Sequence, residues 1–344
     1  MHKVRWGVLG VARIATTKVI PAMQGGQLSE IVGIASRDRG RAEEAAHRLG
    51  IRKAYGSYEG MLADPEIEAV YNPLPNHLHV PLSMRAAEAG KHVLCEKPIA
   101  MNTAEARKLM AVRDRTGVIV GEAFMVRAHP QWIRAMELVR GGRIGRLRTA
   151  LGSFCYFNAN AENIRNIAAY GGGALMDIGC YPVKVARMVF GEEPRRVAAA
   201  IVRDAQFGTD TLTSATLEFP SGHAVFTCST QAVPNQSMQF IGTKGRLWMD
   251  IPFNTIPDQV SRLRIDDGRD LNGSGITVEE FPACDQYMLQ GDLFSRAIRE
   301  HGQPPVPLED ALLNMAVIEA LFRAAETGKW EEPAAFAGGA DSTS

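Results

Sequence analysis

Three residues of this chain, Lys97, Asp177 and Tyr181, stand in settings that suit proton transfer. Asp177 and Tyr181 are four residues apart in GGGALMDIGCYPVKVARMVF, so on a helix they share one face and can meet one small molecule. A phenol carries a proton near neutral pH when a neighbouring cation stabilises the phenolate. Lys97 is a candidate for that cation. In KHVLCEKPIA the apolar run 93–95 ends on Glu96 and Lys97, and Pro98 keeps Lys97 out of helical geometry, so its ammonium can be a fixed point charge. The same residues would also serve as a surface ion pair and as packing groups on an amphipathic helix, so the elements that carry them must decide.

Those elements fall into two blocks. A chain of 344 residues exceeds what one hydrophobic core usually organises, which predicts two domains. In the first third, β-rich runs at 4–9, 31–35, 69–71, 92–95 and 118–120 alternate with helical periods at 39–49, 78–89 and 103–115, the last with Thr103 as its N-cap. Strands separated by helices cannot form hairpins. They imply a parallel sheet with helices on both faces and ligands at the strand C-terminal ends. From about residue 125 a helix near 130–140, a strand at 147–157 and a helix reaching 190 lead into strands at 195–203, 211–219, 223–231, 236–241 and 246–250. Turn signals such as FPSGH and GTKG separate these, so antiparallel pairing in one open sheet is expected. Helices at 285–300 and 309–327 would close that second domain.

Composition excludes several classes of function. With 38 basic and 38 acidic side chains the formal charge is zero, which favours neither a nucleic-acid nor a membrane partner. Five cysteines without a C-x-x-C pair point to free thiols in a reducing compartment, the cytoplasm by default. The N-terminus does not read as a signal peptide, and no apolar stretch approaches the roughly 18 residues of a membrane span.

GVLGVARIA, residues 7–15, lies where the first strand becomes a helix. Gly10 can take a backbone angle closed to other residues, and Ala12 is small enough for a pyrophosphate to approach. With Arg13 and Ile14 they would form a dinucleotide's phosphate turn, although alanines replace two of the usual glycines. The second strand ends on ASRDRGR, where Ser36, Arg37 and Arg41 suit a ribose phosphate better than a hydroxyl. NADP is therefore expected, and Asp38 leaves NAD open if it turns inward. The third strand runs into YNPLPNHLH; there Leu74, Pro75, Asn76 and His79 would wall the cofactor site, with Asn76 capping the next helix. His77 and His79 are two apart, a poor spacing for one metal, and no metal is implied. After the last parallel strand, Phe124, Arg127 and His129 would lie near the crevice, with Tyr156, Asn158 and Arg165 as further donors and acceptors for a polyol.

The Gly-rich turn, YNPLPNHLH, CEKP and GGGALMDIGCY, taken in this order, resemble the glucose-fructose oxidoreductase and inositol dehydrogenase family (Gfo/Idh/MocA). Tyr181 in place of a histidine resembles its branch of NADP-linked dihydrodiol dehydrogenases, D-xylose dehydrogenases and sugar ketoreductases. The resemblance implies an α/β chain: a Rossmann doubly wound parallel sheet over 1–124 and an α+β domain with a large open, mainly antiparallel sheet over 125–330. Residues 331–344, which end small and polar, are expected to form a flexible tail. The resemblance further implies Lys97 and Glu96 at the nicotinamide, Tyr287 on the same side, and a homodimer or homotetramer formed through the second sheet.

The expectation is an NADP-dependent dehydrogenase or reductase acting on the CH–OH group of a sugar or cyclic diol, with Tyr181 as proton carrier, Lys97 as its cation and Asp177 orienting the substrate. The rival is a sensor or regulatory protein that binds NADP without catalysis. The presence of Lys97, Asp177 and Tyr181 speaks against it, since a pure binder needs no proton carrier.

Overall fold

The computed structural model describes residues 2–334. By contact the described residues form two units, one holding 2–133 with 255–260 and 282–311, the other holding 134–254, 261–281 and 312–334. Among the described residues no helix is long and apolar enough to cross a membrane.

In the first unit, β1 (Val4–Leu9), β2 (Ser29–Ala35), β3 (Lys53–Tyr55), β4 (Ala69–Asn72), β5 (His92–Glu96) and β6 (Val120–Ala123) make a six-stranded sheet in the order β3-β2-β1-β4-β5-β6. Every pairing in it is parallel. The order reverses between β1 and β4, and the turns after those two strands are the place where such sheets bind ligands. A π-helical turn, Ala15–Val19, runs into α1 (Ile20–Gln24), followed along the chain by α2 (Arg39–Leu49), α3 (Tyr58–Leu62), α4 (His79–Glu88) and α5 (Thr103–Thr116). α5 is capped by Asn102, not by Thr103. The Asn102 side chain accepts from the Glu105 N–H at 2.9 Å while the Glu105 carboxylate accepts from the Met101 N–H at 3.1 Å, the reciprocal pairing that fixes a helix start. Asn76, expected to cap α4, instead opens a 3-10 turn, Asn76–Leu78, so the N-cap position of α4 falls on Leu78.

The core of this unit gathers around Trp6, which is fully buried; its Nε1 donates to Ser295 Oγ at 3.1 Å and its ring lies 5.5 Å from that of Phe294. Both partners belong to α8 (Gln286–Glu300). The helix expected to close the second domain thus packs on the first sheet, because its apolar face matches β1 and not its neighbours in sequence. Burial of an aromatic of this size contributes on the order of 3 kcal/mol.

The second unit is an eight-stranded sheet of β7 (Leu147–Phe157), β8 (Arg196–Arg203), β9 (Asp210–Glu218), β10 (His223–Ser229), β11 (Gln231–Gly242), β12 (Arg246–Met249), β13 (Ser261–Asp266) and β14 (Ile276–Phe281), in the order β14-β13-β12-β11-β7-β10-β9-β8. It departs from uniform antiparallel pairing at one place: β7 and β10 run parallel. The consecutive strands β10 and β11 do not pair, because β7 is inserted between them. A second π-helical turn, Leu175–Gly179, leads into α7 (Cys180–Phe190). α6 (Pro130–Arg140) and α9 (Leu308–Thr327) complete the helices used below. Glu331, placed at the start of the expected tail, bridges Val197 through its N–H and its carbonyl at 2.9 and 2.8 Å, and Arg196 lies 4.8 Å over the Trp330 ring. The order of the chain therefore extends past residue 331; the rest of the expected tail, 335–344, lies outside the described residues.

Candidate active site

At the C-terminal end of β1, Gly10 has φ +88°, and a Cβ there would stand 2.7 Å from Leu74 Cδ2 and 3.7 Å from the Tyr58 hydroxyl. No L side chain fits that turn. The backbone is thus left bare where a phosphate would approach, with the small Ala12 next to it and exposed Arg13 and half-buried Ile14 after it. At the end of β2, Ser36 is buried and its Oγ accepts from the Asp38 N–H at 3.2 Å. The Asp38 carboxylate is turned to its own helix, where it accepts from the Arg41 N–H at 3.2 Å and caps α2. Arg39 pairs with Glu43 at 2.8 Å. Arg37 lies beside the Tyr58 hydroxyl, which burial pushes up in pKa and the guanidinium pulls back. Arg41 lines an open groove of about 540 Å³ together with Arg13, Thr16, Thr17, Glu44 and Arg48. Bare backbone, small residues and the guanidinium groups lining this groove together fit the phosphates of a dinucleotide.

The turns after β4 and β5 are tied to each other through His79. Its Nδ1 lies 2.8 Å from the Pro98 carbonyl and its Nε2 lies 2.6 Å from the Leu74 carbonyl. The ring is buried, which pushes its pKa down to about 4 against the pull of those two carbonyls, and Lys97 adds to the lowering. His79 thus acts as a strut that holds the Leu74 turn against Pro98, while Pro75 and Asn76 stay half-buried along the same turn. On the far side Glu122 accepts from the Ile99 N–H at 2.9 Å, fixing the backbone just past Lys97 and Pro98. Glu96 accepts from the Tyr71 hydroxyl at 2.6 Å and from the Lys97 N–H at 3.3 Å. Burial, with Glu96 next to it, raises the pKa of Tyr287 on α8, so Glu96, Tyr71 and Tyr287 share one neighbourhood. Lys97 itself is half-buried. Phe124 is buried just before the 3-10 turn Met125–Ala128, Arg127 is half-buried within it, and His129 follows it. It is buried at the start of α6, where its Nδ1 accepts from the Gln131 N–H at 3.2 Å.

In the second unit Asp177 and Tyr181 come together over β7. Asp177 Oδ2 accepts from the Tyr156 hydroxyl at 2.6 Å and from Arg165 Nε at 2.8 Å. The Tyr181 ring meets Phe154 edge-on at 5.4 Å and Phe253 at 5.3 Å. Phe154 and Tyr156 are two apart on one strand, so Asp177 and Tyr181 lie over the same sheet face. The shared side expected from a regular helix is reached by another route: Asp177 belongs to the π-helical turn and Tyr181 to the first turn of α7. Burial, and then the Asp177 charge, raise the Tyr156 pKa, while Asp177 above all holds Arg165 protonated, with Tyr181 contributing. Asn158 is engaged locally: its N–H donates to the Thr230 carbonyl at 2.8 Å and its Oδ1 accepts from Asn160 at 3.0 Å. Tyr71, Tyr58 and Glu122 were not legible as site residues. For Tyr71 and Glu122 a position near a strand end was the signal in the sequence, while Tyr58 opens α3.

Among the described residues no group of three or more His, Cys, Asp or Glu side chains could hold a metal ion.

Known proteins share this architecture along most of the chain. The family model described as the oxidoreductase family with NAD-binding Rossmann fold matches residues 4–124, and that of the GFO/IDH/MocA C-terminal domain matches 132–248. An uncharacterized oxidoreductase of Rhizobium meliloti is 48% identical, covering 96% of this chain and 99% of its own. The D-xylose 1-dehydrogenase (NADP(+)) 2 of Haloferax volcanii is 38% identical over 94% of this chain and 98% of its own. A 3-ketoreductase from Actinomadura kijaniata, solved with NADP and TDP-benzene, superposes with a TM-score of 0.87 at 30% identity, covering 94% of this chain and 98% of that one. From the phosphate turn to the strands of the second sheet, the chain belongs to the Gfo/Idh/MocA oxidoreductase family.

Proposed function

We propose that this protein is an NADP-dependent oxidoreductase acting on a CH–OH group of a sugar or cyclic diol, or on the corresponding carbonyl. When bound, the nicotinamide supplies the hydride donor or acceptor. Tyr181 takes the hydroxyl proton in oxidation and returns it in reduction, Lys97 stabilises the charge that builds on the oxygens, and Asp177 orients the substrate. The observation that supports this most directly is the setting of Tyr181. A phenol wedged against Phe154 and Phe253, with Arg165 adding positive charge and Asp177 adjacent, is held to one geometry as proton transfer requires.

Support for NADP comes from the β2 end, where Asp38 is spent on capping α2 while Ser36, Arg37 and Arg41 remain around the Gly10 turn. The xylose dehydrogenase is named for NADP(+) and the 3-ketoreductase was solved with NADP, which agrees. The open face of the second sheet, with Leu151, Leu212, Val202 and Val225 exposed, supports a homo-oligomer formed through it.

The test is Lys97→Met assayed beside the parent protein on a panel of aldoses and cyclic diols with NADP and with NAD. Turnover is expected to fall by about a hundredfold or more while NADP still binds. Near-normal turnover in the variant would remove Lys97 from the mechanism. Nucleotide binding by the parent without any change in nicotinamide absorbance would leave only a binding protein.

A further inference from the structure

The π-helical turn that carries Asp177 is pinned from beneath by a buried carboxylate with no place in the chemistry above. Asp210 opens β9 and is 1% exposed. Its Oδ2 accepts from the Leu175 N–H at 2.6 Å, the first residue of the turn, and from Thr213 Oγ1 at 3.1 Å. Its Oδ1 occupies the space beside Gly173, where a Cβ would stand 2.0 Å away. Gly173 has φ +121°, a conformation that side-chain-bearing residues rarely adopt, so the chain has accepted glycine here in order to admit the carboxylate. The same segment is closed from its other end. The Gly173 N–H donates to the Arg165 carbonyl at 2.8 Å, the Asp177 N–H donates to the Gly173 carbonyl at 3.0 Å, and Arg165 Nε returns to Asp177.

A carboxylate with this burial is expensive to keep. Burial raises the Asp210 pKa, and the Leu175 and Thr213 hydrogen bonds oppose the rise. A buried acid bonded to a backbone N–H at the opening of the segment that presents Asp177 and Tyr181 has a clear mechanical consequence: it fixes the angle at which that segment leaves the glycine run. Two residues on, Asp177 inherits that angle, and α7 starts from it. We propose that Asp210 is a positioning residue for the reaction, acting through Leu175 and Gly173 to set the aim of Asp177 and Tyr181. This rests on the reading of those two residues as the acting pair.

The experiment compares Asp210→Ala, Asp210→Asn and Gly173→Ala with the parent protein, and takes Tyr181→Phe as the control for the underlying reading. For each variant the melting temperature, the NADP dissociation constant, and kcat and KM for the best sugar are measured. Asparagine preserves shape and an acceptor for Leu175, so it should retain most of kcat. Alanine at 210 removes the tether, and alanine at 173 drives a methyl into the carboxylate. Both should lower kcat by about tenfold or more, as a displacement approaching 1 Å does, with NADP affinity within about twofold of the parent. If Asp210→Ala does not fold, Asp210→Ser takes its place, since a hydroxyl on so short a stem does not span to Leu175. A folded Ala or Ser variant with parental kcat overturns the proposal when Tyr181→Phe is inactive. If Tyr181→Phe turns over normally, the catalytic reading itself has failed, a result the control identifies on its own.

Discussion

Asp177 Oδ2 accepts two hydrogen bonds in a half-buried place, one from a phenol and one from a guanidinium. Nothing in the sequence announced the pair, because Arg165 stands 12 residues away in a loop whose path no periodicity describes. Arg165 was legible only as a candidate substrate donor; the structure gives it a carboxylate to hold. At the nucleotide end the residue types were more telling, since an exposed arginine directly after a parallel strand has few other reasons to be there. Asp38 satisfies its own helix, so the cations that remain for a ribose phosphate are Arg37 and Arg41. Replacing both with alanine should weaken NADP binding by about tenfold or more and leave NAD binding within about twofold, measured by nucleotide fluorescence titration. Equal loss for both nucleotides would show that these arginines hold the fold and not the phosphate.

Elements were legible where hydrophobic period and turn chemistry agreed, as for β1 and α2, whose bounds match the reading from sequence. They were illegible where strands carry charge. β13 reads Ser-Arg-Leu-Arg-Ile-Asp and β14 ends Val-Glu-Glu-Phe; cross-strand ion pairs such as Arg262–Glu280 at 2.8 Å support them, and a single sequence does not display such pairs. The helix near 130–140 was legible, but the side chain that holds its start was not. His129 is 1% exposed and caps the helix through Nδ1, which requires that nitrogen to be unprotonated; Nε2 then carries the proton and faces Cys284 Sγ at 3.5 Å. Burial pushes its pKa down to about 4. The unfolded chain therefore binds this proton first. The stability His129 contributes is complete above the unfolded value near 6.5 and is lost as pH falls toward 4, an effect on the order of 3 kcal/mol. Asparagine at this position keeps a cap acceptor that does not titrate. Chemical denaturation of His129→Asn between pH 7 and 4 should show a shallower loss of stability than the parent, and equal slopes would assign the acid sensitivity elsewhere.

For the molecule as a whole, two sheets and their order along the chain were legible, because helices between strands and turns between strands predict different pairings. The place of α8 was not: sequence order sets it after the second sheet, and only the match of Phe294 and Ser295 to Trp6 returns it to the first. Assembly also belongs to this scale. Val225 pairs in register with Leu151, and Leu212 with Val202, placing four apolar side chains, 38 to 55% exposed, on one face of four adjacent strands. Between them Ser214 and Thr227 bond to each other at 3.0 Å, which leaves that face with little unpaired polarity. If this face joins subunits, Leu151→Arg should halve or quarter the sedimenting mass without lowering the melting temperature of the subunit. An unchanged mass would point to some other surface.

The strand β7 lies between β10 and β11 and serves both sides of its sheet: Phe154 and Tyr156 face α7, while Leu151 and Ser153 point away. Because neighbouring side chains on a strand alternate, one extra residue threaded in ahead of Leu151 would exchange the two sets at once, sending the ring that braces Tyr181 outward and bringing Leu151 in. Variation in this stretch is therefore confined to replacement in kind. Its length is under tighter constraint than its lettering, because a shift of one residue there would turn Phe154 and Tyr156 away from α7.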